Sequence, residues 1–400
     1  MQLKLLNFHK MLANFSTSLV GGFIPLIIYR QTNSLFWSIF YLFAMYILYF
    51  IFNQIFREQY VKRPQLFLVL RAVPILIYSI AVVLIDISFI VGVILVAIFY
   101  ALNLSFRGNA TEIILNYSVS ENSDSKSLGL TRVFEQIGTI VAMIAGGLFL
   151  DYLPTYVLII IAMSIYLLST VPLLMYYISA RKQKGFNTEM TSNALVQFAQ
   201  NPDKSQKGKK VSRQVLFRYG LVYYLVGFLD IFCDTFNIFM YVKTGQFAWA
   251  GYFSALYNAA FAVGSYINGF LTAKFDTTKL AAASLIINGI SVVVVACASS
   301  TIVQLIMFGI IGFVYPYYSL FLLERMLSKT RILGVSNRAI FMRDDATQLG
   351  RATCLIVALF GFIIPTFTVM GTALVSCGLF APVNEEQTRK TMIDYLEGSN

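Results

Sequence analysis

Long apolar runs alternate with short polar breaks along this chain, and the runs have the length that a bilayer demands. A hydrocarbon core about 30 Å thick takes roughly 20 apolar residues in helical form. Six such runs lie in the first half, near 8–29, 34–56, 65–85, 87–106, 130–150 and 154–178. Six more lie in the second, near 214–241, 246–272, 281–299, 302–323, 343–365 and 366–383. The one long hydrophilic stretch is Arg181 to Arg213, which carries Lys182, Lys184, Lys204, Lys207, Lys209 and Lys210 against only Glu189 and Asp203. With Asn201-Pro202 and Gly208 as breakers it cannot bury enough apolar surface to fold alone, so it is expected to be a basic linker. The pattern predicts an all-α membrane protein of twelve transmembrane helices in two six-helix bundles, 1–180 and 214–384, with a linker at 181–213 and a polar tail at 385–400.

Composition agrees with that pattern. Of 400 residues, 58% are hydrophobic and only 12% charged, with a mean hydropathy of +0.71; a soluble domain is about a quarter charged. The net charge of +11 suggests nucleic acid in a soluble protein, but here the cations sit beside apolar runs and follow the positive-inside rule. Lys4, Lys10, Arg57, Lys62, Arg63, Arg107, Lys126, the linker, Lys274, Lys279, Arg325, Lys329, Arg331 and Arg338 fall on one side, and only Arg30 and Lys243 on the other. Both termini and the linker are therefore expected in the cytoplasm, and nucleic acid is not expected as a partner. Cys233, Cys297, Cys354 and Cys377 stand singly in apolar runs, and His9 is the only histidine. No metal or other cofactor is expected. The absence of G-x-x-x-x-G-K-[ST] and H-E-x-x-H argues against ATP-driven transport and zinc chemistry on this chain, and no enzyme is expected. The sequons at Asn109 and Asn116 fall in a loop on the cytoplasmic side and are expected to stay unglycosylated.

The halves resemble each other at an offset of 212 residues. Tyr29 and Thr32 fall on Tyr241 and Thr244, Glu112 on Glu324, Lys126 on Arg338, and Gln136 and Gly138 on Gln348 and Gly350. Parallel repeats of this kind build many transporters. The run Gly269-Phe270-Leu271-Thr272-Ala273-Lys274-Phe275-Asp276-Thr277-Thr278-Lys279 and the segment Arg107-Gly108-Asn109 through Arg132 and Gly138 to Gly146-Gly147 are similar to signature regions of the major facilitator superfamily. Asn53 to Tyr60 fits the equivalent loop of the first half with its charge order reversed. The resemblance implies two bundles that rock about a central site, gating charges at Lys274 and Asp276, and a monomer. Drug/proton antiporters of that superfamily carry Gly-Pro where this chain has Ala142 and Met143, which weakens the antiporter reading.

Polar groups within spans are where mechanism is expected, because a charge at mid-helix costs about 2.5–3.5 kcal/mol on insertion scales. Asp230 and Asp234 are four residues apart, on one face of the seventh run. Two carboxylates one turn apart in a low dielectric repel, so one of them is expected to take a proton readily and couple proton movement to transport. Arg351 is the natural counter-charge for an aspartate or for an anionic substrate group. Asn14 and Thr17 on the first run, Tyr257 and Asn258 on the eighth, and Tyr317 with Tyr315 and Tyr318 on the tenth are the candidate substrate lining. Arg132 and Glu135 are read as an ion pair three residues apart, Arg71 as a snorkelling cation, and Asp344 and Asp345 as gate or loop charges. Gly21-Gly22 and Pro25 are expected to loosen the first helix. The expected function is secondary transport of a small organic solute across the cell membrane, by proton symport ahead of proton-coupled export. A sensor or lipid-handling protein on the same scaffold is the other class.

Overall fold

A computed structural model describes residues 2–118, 125–182, 206–271, 277–360 and 363–397, and it is helical throughout, with no strand among those residues. Twelve rods follow one another: α1 (Gln2–Gly21 and Ile24–Thr32), α2 (Leu35–Lys62), α3 (Pro64–Leu70 and Ala72–Ile87), α4 (Phe89–Ser118), α5 (Ser125–Tyr152) and α6 (Thr155–Lys182) form one half. The other half is α7 (Gln206–Asp230 and Phe232–Thr244), α8 (Phe247–Leu271), α9 (Thr277–Cys297), α10 (Thr301–Ile332), α11 (Ser336–Leu359) and α12 (Ile363–Glu397).

Breaks in two rods have a chemical cause. Pro25 has no N–H to give the Gly21 carbonyl, and Pro74 none to give Leu70, so α1 opens at residues 21–23 and α3 at Arg71. In α7 no proline is involved; the Thr235 hydroxyl bonds back to the Ile231 carbonyl at 2.9 Å, a contact that bends helices.

Packing repeats between the halves. The pairs α1·α5, α1·α6, α2·α4, α3·α4 and α3·α6 recur as α7·α11, α7·α12, α8·α10, α9·α10 and α9·α12. Detail repeats too. Asn33 and Gly245 both close their helices in the left-handed region, φ 49° and 71°, and donate to the carbonyls of Tyr29 and Tyr241, which are 212 residues apart. Gly138 of α5 lies against the Met11 carbonyl of α1, and Gly350 of α11 against the Tyr224 carbonyl of α7.

Between the halves run α5·α8 and α2·α11. Nine of the described rods are long and apolar enough to cross a membrane; α5, α8 and α11 fall short. Those three face protein at the junction, where polar side chains find partners, whereas α3, α6 and α9 present Ile80, Ile160 and Ile290 outward, each more than half exposed. The chain is a multi-pass membrane protein of two six-helix bundles.

The helices overrun the sequence expectations at their ends. Residues 206–213, read as linker, begin α7, because Val211 and Val215 continue its buried stripe. Arg107 to Ser118, read as a loop, extend α4, and Asn53 to Tyr60 belong to α2. The tail at 385–397 is not a separate polar segment. It prolongs α12, with Thr388 and Met392 buried, and Glu385 accepts from Lys329 Nζ at 2.5 Å and from the Tyr219 hydroxyl at 3.0 Å.

Candidate functional site

The break in α7 puts Asp230 at the end of one segment and Asp234 in the first turn of the next. Asp230 Oδ2 accepts from Arg351 Nη2 of α11 at 2.9 Å, and its Oδ1 accepts from the Tyr315 hydroxyl of α10 at 2.5 Å. Arg351 also donates to Gln348 at 3.2 Å, and its guanidinium lies 4.9 Å from the ring centre of Tyr46 on α2. Tyr46 in turn donates its hydroxyl to Asp234 Oδ2 at 2.8 Å. The centre thus joins α2 of the first half to α7, α10 and α11 of the second. Its two carboxylates differ in one respect. Asp230 has a cation, and Asp234 has no ion-pair partner among the described residues.

The remaining lining candidates scatter. Asn14 is buried on α1. Thr17 and Asn258 spend their donors on their own helices, at the carbonyls of Ala13 (2.9 Å) and Ser254 (2.6 Å). Tyr257 packs on Tyr315 and Phe308. Tyr317 is buried against Phe313 of its own helix, so on α10 it is Tyr315 that reaches the acid. Lys274 and Asp276 lie outside the described residues, as does the Arg132 side chain. Glu135 pairs with Lys10 of α1 at 3.1 Å, both side chains under a tenth exposed. Gly138, against the Met11 carbonyl, lets α1 and α5 come close enough for that helix-to-helix pair; the expected Arg132–Glu135 pair involves a side chain outside the described residues. Arg71 does not snorkel. It is 3% exposed and donates to Asn103 of α4 at 2.6 Å, since the break in α3 leaves it inside the bundle.

Cross-half contacts also close both ends. Near the linker end, Asp345 of α11 accepts from Gln54 (2.7 Å) and Arg57 (2.5 Å) of α2, and Asp344 from Tyr49 (2.9 Å). At the far end, Asp151 of α5 caps α8 by accepting from the N–H groups of Phe247 (2.8 Å) and Ala248 (2.9 Å). There Tyr29 meets Tyr241 edge-on, ring centres 6.0 Å apart, and Arg30 lies over Phe247. Tyr46, Tyr49 and Asp151 escaped the sequence reading: a tyrosine in an apolar run, or an aspartate at a run's end, carries no sign of its distant partner.

The family profile of the Major Facilitator Superfamily matches residues 113–342, more than half of the chain. The chain belongs to the major facilitator superfamily. No curated protein sequence matches it. Solved structures of this superfamily share its fold at low identity. The fucose:proton symporter FucP of E. coli aligns over 95% of this chain and 98% of its own, with a TM-score of 0.60 and 15% identity. PepTSo, a POT family transporter, aligns over 97% and 98% with a TM-score of 0.68 and 11% identity. The human organic anion transporter MFSD10 (TETRAN) aligns over 94% and 98% with a TM-score of 0.60 and 12% identity. At such identities the likeness is one of fold, and this superfamily member's chemistry rests on its own residues.

Proposed function

We propose that the protein is a proton-coupled symporter of a small organic solute, working by alternating access from a cell membrane, with linker and termini in the cytoplasm. The observation that carries this reading is the unequal setting of the two aspartates. Asp230 is committed to Arg351, whereas Asp234, its charge balanced by no cation in contact among the described residues, is held by one hydroxyl from the opposite half. A charged carboxylate accepts a hydrogen bond about twice as strongly as a neutral group. Deprotonated Asp234 therefore tightens the α2–α7 bridge and protonated Asp234 loosens it, which ties proton occupancy to the separation of the halves. Arg351 keeps its Nε without a partner, a donor free to meet a carbonyl, carboxylate or hydroxyl oxygen of the solute while Asp230 holds the guanidinium in place. That FucP is a proton symporter supports the reading by fold analogy alone.

Purified protein in proteoliposomes, screened against sugars, amino acids and dipeptides under an inward proton gradient, tests it. Asp234→Asn is expected to keep solute exchange and lose gradient-driven accumulation; accumulation at the wild-type rate would sink the coupling role. Export by antiport is the second reading, since the same uncompensated carboxylate suits a cationic solute exchanged for a proton. It is favoured if the screen yields solute movement only against an opposing proton flow.

A further inference from the structure

The first half holds a polar cluster that the centre between the halves does not use. Arg71, at the break in α3, gives its Nε–H to Asn103 Oδ1 at 2.6 Å, and its guanidinium stands 5.9 Å from the ring centre of Tyr166 on α6. Arg71 is 3% exposed, and Asn103 and Tyr166 are at 0%. Arg71 Nη2, Asn103 Nδ2 and the Tyr166 hydroxyl all lack a hydrogen-bond partner among the described residues. The first two can only donate, and the third can donate. No carboxylate pairs with Arg71 among the described residues. The charges in electrostatic reach, Arg107 for Arg71 and Lys10, Arg71 and Arg107 for the neighbouring His9, carry the same sign. A buried cation without a counter-charge is costly, and a bilayer core has no bulk water to relieve it. Three idle donors on three helices around one such cation call for an acceptor, and for a negative one.

We propose that Arg71, Asn103 and Tyr166 form a binding site inside the first bundle for a small oxyanion, a carboxylate or phosphate group, separate from the Asp230–Arg351 pair. A guanidinium N–H gives an oxyanion a charge-assisted hydrogen bond, stronger than a neutral one. Here Asn103 takes the Nε–H, and Nη2 is left for the anion. The site ties α3, α4 and α6 together through the anion, so its occupancy stiffens the half that has to move as a body. The site shares no residue with the Asp234 centre.

The source of the group is either a free anion or the phosphate of a lipid, and the experiment separates them. Full-length protein in uncharged detergent is unfolded thermally with increasing inorganic phosphate or acetate, against chloride at matched ionic strength, and bound phosphorus is measured after extraction. A free-anion site gives a saturable rise in Tm of roughly a few degrees well above Kd. A lipid-filled site gives no rise but about one tightly held phosphorus per chain. Asn103→Asp supplies Arg71 with a carboxylate from within the chain, so it is expected to fold at least as stably as the wild type without added anion and to lose both the anion response and the bound phosphorus. Arg71→Met, which removes the charge at similar volume, is expected to lose both as well. A wild type that neither responds nor carries phosphorus overturns the proposal. So does an Asn103→Asp protein that behaves like wild type in both measurements.

Discussion

Asp230 and Asp234 are one helical turn apart and have different neighbours, which makes their substitutions separable. Replacing Asp230 with Asn leaves the part-buried Arg351, its side chain 21% exposed, without its counter-charge, for which somewhat less than the about 3–5 kcal/mol of a fully buried pair is expected; a fall in the unfolding midpoint of the purified protein checks it. The double change Asp230→Asn, Arg351→Gln is expected to recover most of that loss, because both charges leave together. Tyr46→Phe removes a single interhelical hydrogen bond, for which about 0.6–2 kcal/mol is expected in a membrane protein. Its effect on the midpoint should be clearly smaller than that of Asp230→Asn, and an equal effect would mean that the Asp234 bond is not a simple one. The aspartates and Arg351 could be picked out from the amino-acid string because a charge inside an apolar run is costly wherever it ends up. Tyr46 could not: it is 188 positions from Asp234, and tyrosine is unremarkable in a span.

At the level of helices, glycine decides how near two rods come. A Cβ at Gly350 would press into the Tyr224 carbonyl, and one at Gly138 into the Met11 carbonyl. Gly350→Ala and Gly138→Ala are each expected to lower stability by about 1–3 kcal/mol, the range for overpacked contacts. Gly309→Ala is the control: the nearest atom, on Leu256, would stand 3.8 Å away, so the better helix propensity of alanine should leave stability unchanged or raised by up to about 1 kcal/mol. Thermal unfolding of the three variants side by side decides the matter. The opening of α1 was expected from Gly21-Gly22 and Pro25; the break at Arg71 ahead of Pro74 was not, and Pro172, Pro316 and Pro382 sit within continuous helices. The break at Ile231 was not foreseen either, since Thr235 could as well have pointed elsewhere. Helix ends were misjudged for a related reason: hydropathy marks the lipid-covered length of a rod, while α2, α4 and α12 continue past it wherever a neighbouring helix supplies partners for their polar residues.

Over the whole molecule, the halves are bridged at the linker end by Asp344 and Asp345, at the centre by Tyr46, and at the far end by Tyr29, Tyr241 and Asp151. Alternating access requires the end contacts to part in turn. A short bifunctional thiol reagent joining Tyr29→Cys to Tyr241→Cys, in a chain whose own four cysteines are replaced, is expected to stop transport, and cleavage of the tether to restore it. Undiminished transport with the tether in place would mean that the far end need not open.

Twelve apolar stretches, a basic divider and a 212-residue echo were legible in the residues themselves. Transfer to lipid and backbone hydrogen bonding are local properties, additive along the chain, and so survive without knowledge of the fold. Which polar group answers which was settled only when the helices packed, within each half as well as between the two. Arg351 found Asp230 and Lys10 found Glu135, while Arg71 kept idle donors, because hydrogen bonds and ion pairs depend on ångström separations between residues that the order of amino acids leaves far apart.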